Sequence, residues 1–323
     1  MKLQTQIPLE KQSNNLIDYT SSVLLLGSCF VENIGGKLDY FKFKSTQNPF
    51  GILFHPKAIE NLLRDAVNKR EYTKDDVFLH NEQWHCFDAH SKLSHASKDL
   101  LLHELNTNLK ITFERLCDAT HIVITLGTAW VYRFIASDAI VANCHKVPQK
   151  QFKKELMSVT SLIKSLKSMM SAIHSINQNT TVVFTVSPVR HIKDGFIENM
   201  QSKAHLITAI HQFLNSQEPI SKSKSFYFPS YEIIMDELRD YRFYKEDMLH
   251  PNTVAIDYVW EKFKATWVVD EATKTMDKVE AVQKGLLHKP FNHNSEAHQK
   301  FLKNLEVKKK QLQNEFSHIV FNN

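Results

Sequence analysis

The chain is poor in glycine and cysteine, with seven of the first and four of the second among 323 residues. Cys29, Cys86, Cys117 and Cys144 stand far apart and form no C-x-x-C pair, so neither a disulfide framework nor a four-thiolate zinc site is expected. Long apolar runs are missing too. No stretch approaches the ~18 residues that cross a bilayer, and "MKLQTQIPLEKQSNN" at the N-terminus has no apolar signal-peptide core. The expectation is a cytoplasmic protein with no membrane partner. Positive charge is present but dispersed: the net charge is +5, and the only dense cluster is Lys308, Lys309 and Lys310. Without a basic stripe interleaved with aromatics, nucleic acid is not an expected partner, although a basic cleft for an anionic substrate stays open.

What is present is an ordinary globular composition, 42% hydrophobic and 23% charged, long enough to bury a substantial core. Four short apolar, β-branched runs have the length of buried parallel strands: Val23 to Leu26, His121 to Leu126, Thr181 to Val186 and Ser225 to Phe228. A fifth strand is expected at Tyr40 to Lys44. Helical spacing fills the intervals at Pro56 to Lys69, Lys98 to Cys117, Lys154 to Ile176 and Glu198 to Leu214. "YEIIMDELRDYRFY" also has the spacing of an amphipathic helix. Strands alternating with helices predict an α/β fold with a parallel sheet covered on both faces, whose ligands gather beyond the strand carboxyl ends. Residues 1–267 read as one such domain. Residues 268–323 are more polar, with helical spacing from Ser295 to Phe316, and read as a helical extension.

The scarce glycines fall at strand ends. Gly27 and Gly127 each follow a predicted strand, and Gly51 lies in the turn "NPFG". Each suits a tight turn or a close backbone approach. Directly after Gly27 come Ser28 and Cys29, and a nucleophile at a strand-to-helix turn meets the unpaired N–H groups of the helix start. That environment activates a thiol and can hold an oxyanion. Later, "EDMLHPNTVAIDYVWEKF" places Asp247 three residues before His250, with Pro251 suited to a following helix from about Thr253 to Phe263. The short spacing lets one loop deliver both a base and the carboxylate that fixes its tautomer.

"LGSCFVEN" followed much later by "DMLHPN" resembles the SGNH or GDSL-type hydrolase superfamily, with its G-D-S-L and D-x-x-H-P-N blocks. More narrowly, "GSCF", "NPFGILFHP", "TLGTAWVY", "VANCHKVP", "SPVRHIKDGFIENMQSKAHL" and "YFPSYEIIMDELRDYRFYKEDMLHP" together resemble the GSCFA family over roughly residues 20 to 265. The resemblance implies a three-layer α/β/α sandwich like flavodoxin, ester chemistry and a triad in which His250 is the base and Asp247 its orienting acid. Setting "GSCFVEN" under G-D-S-L-T-E-G puts Cys29 at the nucleophilic serine, and a shift of one residue puts Ser28 there. The block G-x-N-D reads "GTAW", with Ala129 and Trp130 where the superfamily has asparagine and aspartate. Candidate replacements for that oxyanion donor are Thr128, Asn48 and Asn143, with backbone N–H groups at Cys29 and Gly51.

Two further clusters complete the candidates. "WHCFDAHSKLSH" gathers His85, Cys86, Asp88, His90 and His95, and "NCHK" adds Cys144 and His145. Their spacing fits no familiar metal site, so no metal or other cofactor is expected, and His90 and His145 are read as substrate-contacting or loop-supporting. Arg190 and His191 in "SPVRHIKDG" follow the third strand, where Arg190 could clamp a phosphate, a carboxylate or sugar hydroxyls. The expected function is hydrolysis of an acyl ester, such as an acetylated carbohydrate, through a Cys/Ser-His-Asp triad and an acyl-enzyme. The alternatives are an O-acyltransferase using the same triad and a non-catalytic carbohydrate-binding protein. The substrate is expected to be a small-molecule or carbohydrate ester.

Overall fold

A computed structural model describes residues 4–217 and 224–321. Its centre is a five-stranded sheet, parallel throughout, built from β1 (Ser22–Gly27), β2 (Lys44–Gln47), β5 (His121–Leu126), β9 (Thr181–Val186) and β10 (Ser225–Tyr227) in the order β2-β1-β5-β9-β10. Every residue of β1, β5 and β9 is buried, the signature of strands covered on both faces. Alternation then sorts the side chains. Leu24, Leu26, Ile122, Ile124, Val182 and Phe184 face α2 (Pro56–Val67), α3 (Lys98–Asp118), α4 (Val159–Ile176) and α5 (Phe196–Asn215). Val23, Leu25, Val123 and Val183 face α1 (Phe30–Tyr40) and α6 (Thr253–Trp267). The order reverses between β1 and β5, where doubly wound sheets open a crevice at the strand carboxyl ends.

The helices start where local chemistry starts them. Ser97 and Ser158 accept a bond from the N–H two residues into α3 and α4, His55 does the same for α2 before Pro56, and Asn252 caps α6. α7 (Asp270–Leu286) and α8 (Glu296–Glu315) bury Met276, Val279, Val282, Leu305 and Leu312 in the core that also holds Leu38 of α1. They reach the end of α1 remote from Cys29: Gln283 Nε2 donates to the Tyr40 carbonyl at 2.9 Å, and His318 contacts the Lys42 carbonyl. Among the described residues no helix is long and apolar enough to cross a membrane.

Three expectations need correction. The fifth strand begins at Lys44, because α1 continues to Tyr40 and the chain reverses through Lys42 at φ 62°. The segment at 154 is not helical at its start. Residues Phe152–Leu156 form β8, which pairs antiparallel with β6 (Trp130–Phe134), itself paired with β7 (Ala139–Val141), and α4 waits for the Ser158 cap. This small sheet and the hairpin of β3 (Phe78–His80) and β4 (Gln83–His85) are insertions with strands too short to stand out as periodicity. Finally, "YEIIMDELRDYRFY" forms no continuous amphipathic helix: a helical turn at Ser230–Glu232 widens to a π-helical turn over Ile233–Glu237, and a separate 3-10 turn follows at Tyr241–Phe243. The widening turns Glu237 inward, where its carboxylate accepts from the Ile7 N–H and the Tyr258 hydroxyl, both at 2.5 Å, and from Lys262 at 3.1 Å.

Candidate active site

Gly27 ends β1 at φ 132°, and a side chain there would collide with the Thr125 carbonyl oxygen. Only glycine allows so close a turn out of the sheet. The next residues therefore emerge at the carboxyl edge. Ser28 donates its N–H to that same Thr125 carbonyl at 3.0 Å and is fully buried, with an Oγ that meets no partner among the described residues. Cys29 follows as the first residue of the α1 turn and is partly exposed. The N–H groups of Cys29 and Phe30 have no backbone acceptor among the described residues, as expected of a helix start.

Contrary to the expectation for a helix start, the Cys29 thiol is raised: burial is the largest cause and Glu32 adds to it, while Lys203, the thiol's own backbone N–H and Lys245 pull it down without reversing the rise.

The D-x-x-H loop is closed on itself. Asp247 Oδ2 bonds His250 Nδ1 at 2.6 Å, while Oδ1 accepts from the N–H groups of Leu249 and His250 at 2.9 Å. Those N–H bonds, His250's first, together with the imidazole hold the Asp247 carboxyl down at about 2, so it stays ionised. The Lys245 N–H donates to the His250 carbonyl at 2.7 Å, and Met248 takes φ 58° to allow it. Asn252 then serves twice, donating Nδ2 to the Arg242 carbonyl at 2.7 Å and capping α6 at the Ala255 N–H. His250 Nε2 carries no protein bond among the described residues. Both halves of the D-x-x-H-P-N pattern are thus spent on geometry, one orienting the imidazole and one anchoring the loop to α6.

His191 and Ser28 converge on Gly127. A Gly127 Cβ would stand 3.1 Å from the Ser28 Cβ and 3.3 Å from His191 Nε2. His191 hangs from Asn199, whose Oδ1 accepts its backbone N–H at 2.8 Å, and its Nε2 is buried without a partner among the described residues. Burial first, then the charges of Lys203 and His250, push this imidazole down to about 3, so it is neutral. Lys203 influences both Cys29 and His191, and His250 influences His191, which draws the α1 start, the β9 loop and the D-x-x-H loop into one electrostatic neighbourhood.

The other candidates divide. Asn48 supports the first turn, its Oδ1 accepting the Gly27 N–H at 2.8 Å, and its Nδ2 is buried with no partner. Gly51 at φ 71° packs against His90, but its N–H is taken by the Asn48 carbonyl at 2.7 Å. Thr128 is committed to Ser202 Oγ and the Trp130 N–H. Asn143 and His145 lie in the insertion: Asn143 Oδ1 holds the His145 N–H at 2.8 Å, and His145 donates Nε2 to the Cys86 carbonyl at 2.7 Å while stacking near His85. His85 is tied to Ser94 and the His80 carbonyl, His95 to the Ser97 N–H, and Asp88 to Arg70. Among the described residues no group of three such side chains could hold a metal. His90 keeps a ring near Phe54, which also stacks edge-on against His191.

Arg190 leans over Tyr244 and Tyr241, 4.8 and 5.5 Å from their ring centroids, with a buried Nε that has no partner among the described residues. It lines a cavity of about 440 Å³ with Tyr231, Tyr241, Tyr244, Met200 and Met235. Neither Cys29 nor His250 lines it, so the cavity lies beside the D-x-x-H loop and not over the thiol.

Sequence reasoning passed over Lys203 and Asn199. Their signal was a lysine and an asparagine on the helix face that also carries Leu206 and Ile210, Lys203, Leu206 and Ile210 lying four, seven and eleven residues beyond Asn199. Asn199 orients His191, and Lys203 is fully buried beneath the strand ends.

No curated protein matches the chain. Residues 22–263 match the GSCFA family and residues 279–323 match the GSCFA domain protein, C-terminal domain. With most of its length covered in this way, the chain belongs to the GSCFA family.

Proposed function

We propose that the chain hydrolyses ester bonds by covalent catalysis at Cys29. The observation that carries the reading is the Asp247–His250 pair, bonded at 2.6 Å on a loop whose charge acts on His191, which meets Ser28 of the β1–α1 turn at Gly127. In this scheme Asp247 keeps the proton on His250 Nδ1 and leaves Nε2 as the base. Nε2 takes the thiol proton as Sγ attacks the ester carbonyl, and returns it to the leaving alcohol when the tetrahedral intermediate collapses to a thioester. Water activated by the same imidazole then releases the acid. The N–H groups of Cys29 and Phe30, which meet no backbone acceptor among the described residues, and the Nδ2 of Asn48, which has no partner among them, are the donors for the oxyanion. Ser28 is the weaker nucleophile candidate, because its hydroxyl is fully buried. The strand order and the two sequence blocks support placement within the SGNH-type hydrolases.

The favoured substrate is a small acyl ester of a carbohydrate or other alcohol, with the Arg190 and tyrosine cavity beside the loop taking the alcohol part. That cavity also supports a second reading, in which an acceptor alcohol there takes the acyl group in place of water. The test is incubation of the purified protein with p-nitrophenyl acetate, following nitrophenol release and locating the acyl group by mass spectrometry. Release together with acetylation of Cys29 is expected. Neither release nor any adduct at Cys29 or Ser28 would favour a non-catalytic carbohydrate-binding protein.

A further inference from the structure

Lys203 is the largest fully buried charged side chain among the described residues, and none of them supplies it a counter-ion. Its side chain is 1% exposed, and its Nζ donates to the carbonyls of Gly127 at 2.6 Å and Ser187 at 2.7 Å, the residues that follow β5 and β9. No carboxylate bonds it among the described residues, and the ring of Tyr231 lies 5.9 Å away. An ammonium has three donors, so one remains after the two carbonyls are served. Desolvating an ammonium against neutral carbonyls alone is expensive, and a methionine of similar volume would fill the same space without that cost.

Something must gain from the charge, and the ionisable groups facing it limit the choice. Lys203 grips Gly127, and a Cβ at Gly127 would stand 3.1 Å from the Ser28 Cβ, next to Cys29, and 3.3 Å from His191 Nε2. The ionisable groups here are therefore Cys29 on the α1 turn, the neutral imidazole of His191 and the Tyr231 phenol, with Glu32 and Lys245 also acting on Cys29. Burial pushes the Tyr231 phenol up, which leaves Cys29 as the group whose anion the lysine favours. We infer that Lys203 is the built-in counter-charge of the Cys29 thiolate, a positioning residue that acts through the sulfur and does not touch substrate. It stands in for part of the polar support lost where "GTAW" replaces G-x-N-D, since the Gly127 carbonyl it grips belongs to that block. The direction agrees with the electrostatics on both sides: Lys203 lowers the thiol, and the thiolate raises Lys203 against the larger effect of burial, the two together leaving the ammonium pushed down to about 7. The catalytic meaning rests on the esterase reading; the charge coupling itself does not.

Alkylation separates the two. The rate at which iodoacetamide modifies Cys29 is followed against pH by peptide mass spectrometry in the wild type, Lys203→Met, Lys203→Gln and Lys203→Arg. Exposed Cys117 serves as the reference thiol and buried Cys86 as the reporter of folding. In the sulfur displacement the thiolate bonds the methylene carbon and iodide leaves, so the rate reads thiolate directly. Lys203→Met and Lys203→Gln should shift the Cys29 profile upward and slow modification at neutral pH about tenfold, and Lys203→Arg should restore it. Gln keeps N–H donors for the two carbonyls, so a shift in Gln as well as Met assigns the effect to charge. A wild-type profile in both neutral variants overturns the inference. Should these variants expose Cys86, the wild type decides instead: ¹⁵N NMR of the Lys203 ammonium should show its titration moving to lower pH once Cys29 carries the neutral carbamidomethyl group. No movement would overturn it. A chain that shows the coupling yet never turns over an ester keeps this inference and sinks the esterase reading.

Discussion

Asp247 and His250 lie three residues apart and are joined at 2.6 Å between Oδ2 and Nδ1, while the second carboxylate oxygen gathers the N–H groups of Leu249 and His250. The aspartate therefore orients the imidazole and folds the loop that carries it. In the proposed scheme Asp247→Asn should lower ester turnover by about 10³ to 10⁴, with the loss concentrated in kcat. The carboxyl is held at about 2, below its ordinary value of 3.8, so its bonds are complete above that ordinary range and fail as pH falls through about 2. Amide proton shifts of Leu249 and His250 should titrate with that midpoint, and a midpoint near 4 would show that the bonds do not form in solution.

Nucleophile identity follows from accessibility. Cys29→Ala should cut p-nitrophenyl acetate turnover by at least about a thousandfold, whereas Ser28→Ala should keep it within about tenfold. The reverse pattern would transfer the role to Ser28.

Acid stability has a separate source in His55. This imidazole is buried, accepts the Ala58 N–H at Nδ1 (3.1 Å) and donates Nε2 to the Val141 carbonyl (3.0 Å), so a second proton would break the helix cap. Burial lowers it from 6.5 to about 4. A folded value below the unfolded one means that the unfolded chain binds more protons, so stability is full above 6.5 and falls as pH drops toward 4. The loss from this group should reach roughly 2 kcal/mol at pH 5. Urea midpoints at pH 7 and 5 would measure it, and His55→Asn, which keeps the cap without titrating, should flatten the difference.

Gly27→Ala should destabilise the fold by roughly 3 kcal/mol, since a Cβ there strikes the Thr125 carbonyl and the φ of 132° is closed to other residues. Thermal unfolding would show it. Unchanged stability would mean that the β1 turn relaxes without harm.

Much of this was legible in advance for a simple reason. Strands covered on both faces are largely apolar, so β1, β5 and β9 stand out as near-continuous runs in the chain, broken inside only by Thr125 and Thr185. The β2 shift, the π-turn at Ile233–Glu237 and the small antiparallel sheet were not legible, because each depends on what a distant segment offers. Glu237 turns inward only because Ile7, Tyr258 and Lys262 wait there. Of the candidate residues, Asn143 and His145 share a motif with no visible link to the β1 turn and are folded into the insertion, bonded to their own loop and to Cys86.

By itself the sequence determined the elements and the groups whose partners are local: a glycine forced by a tight turn, a thiol at a helix start, a carboxylate three residues from an imidazole. Tertiary structure alone decided which hydroxyl is sealed, which N–H groups are already spent and that a lysine on α5 ends between the carbonyls of Gly127 and Ser187. Burial and charge are properties of what surrounds an atom, and here the surroundings of Lys203 come from residues 16 and 76 positions away along the chain.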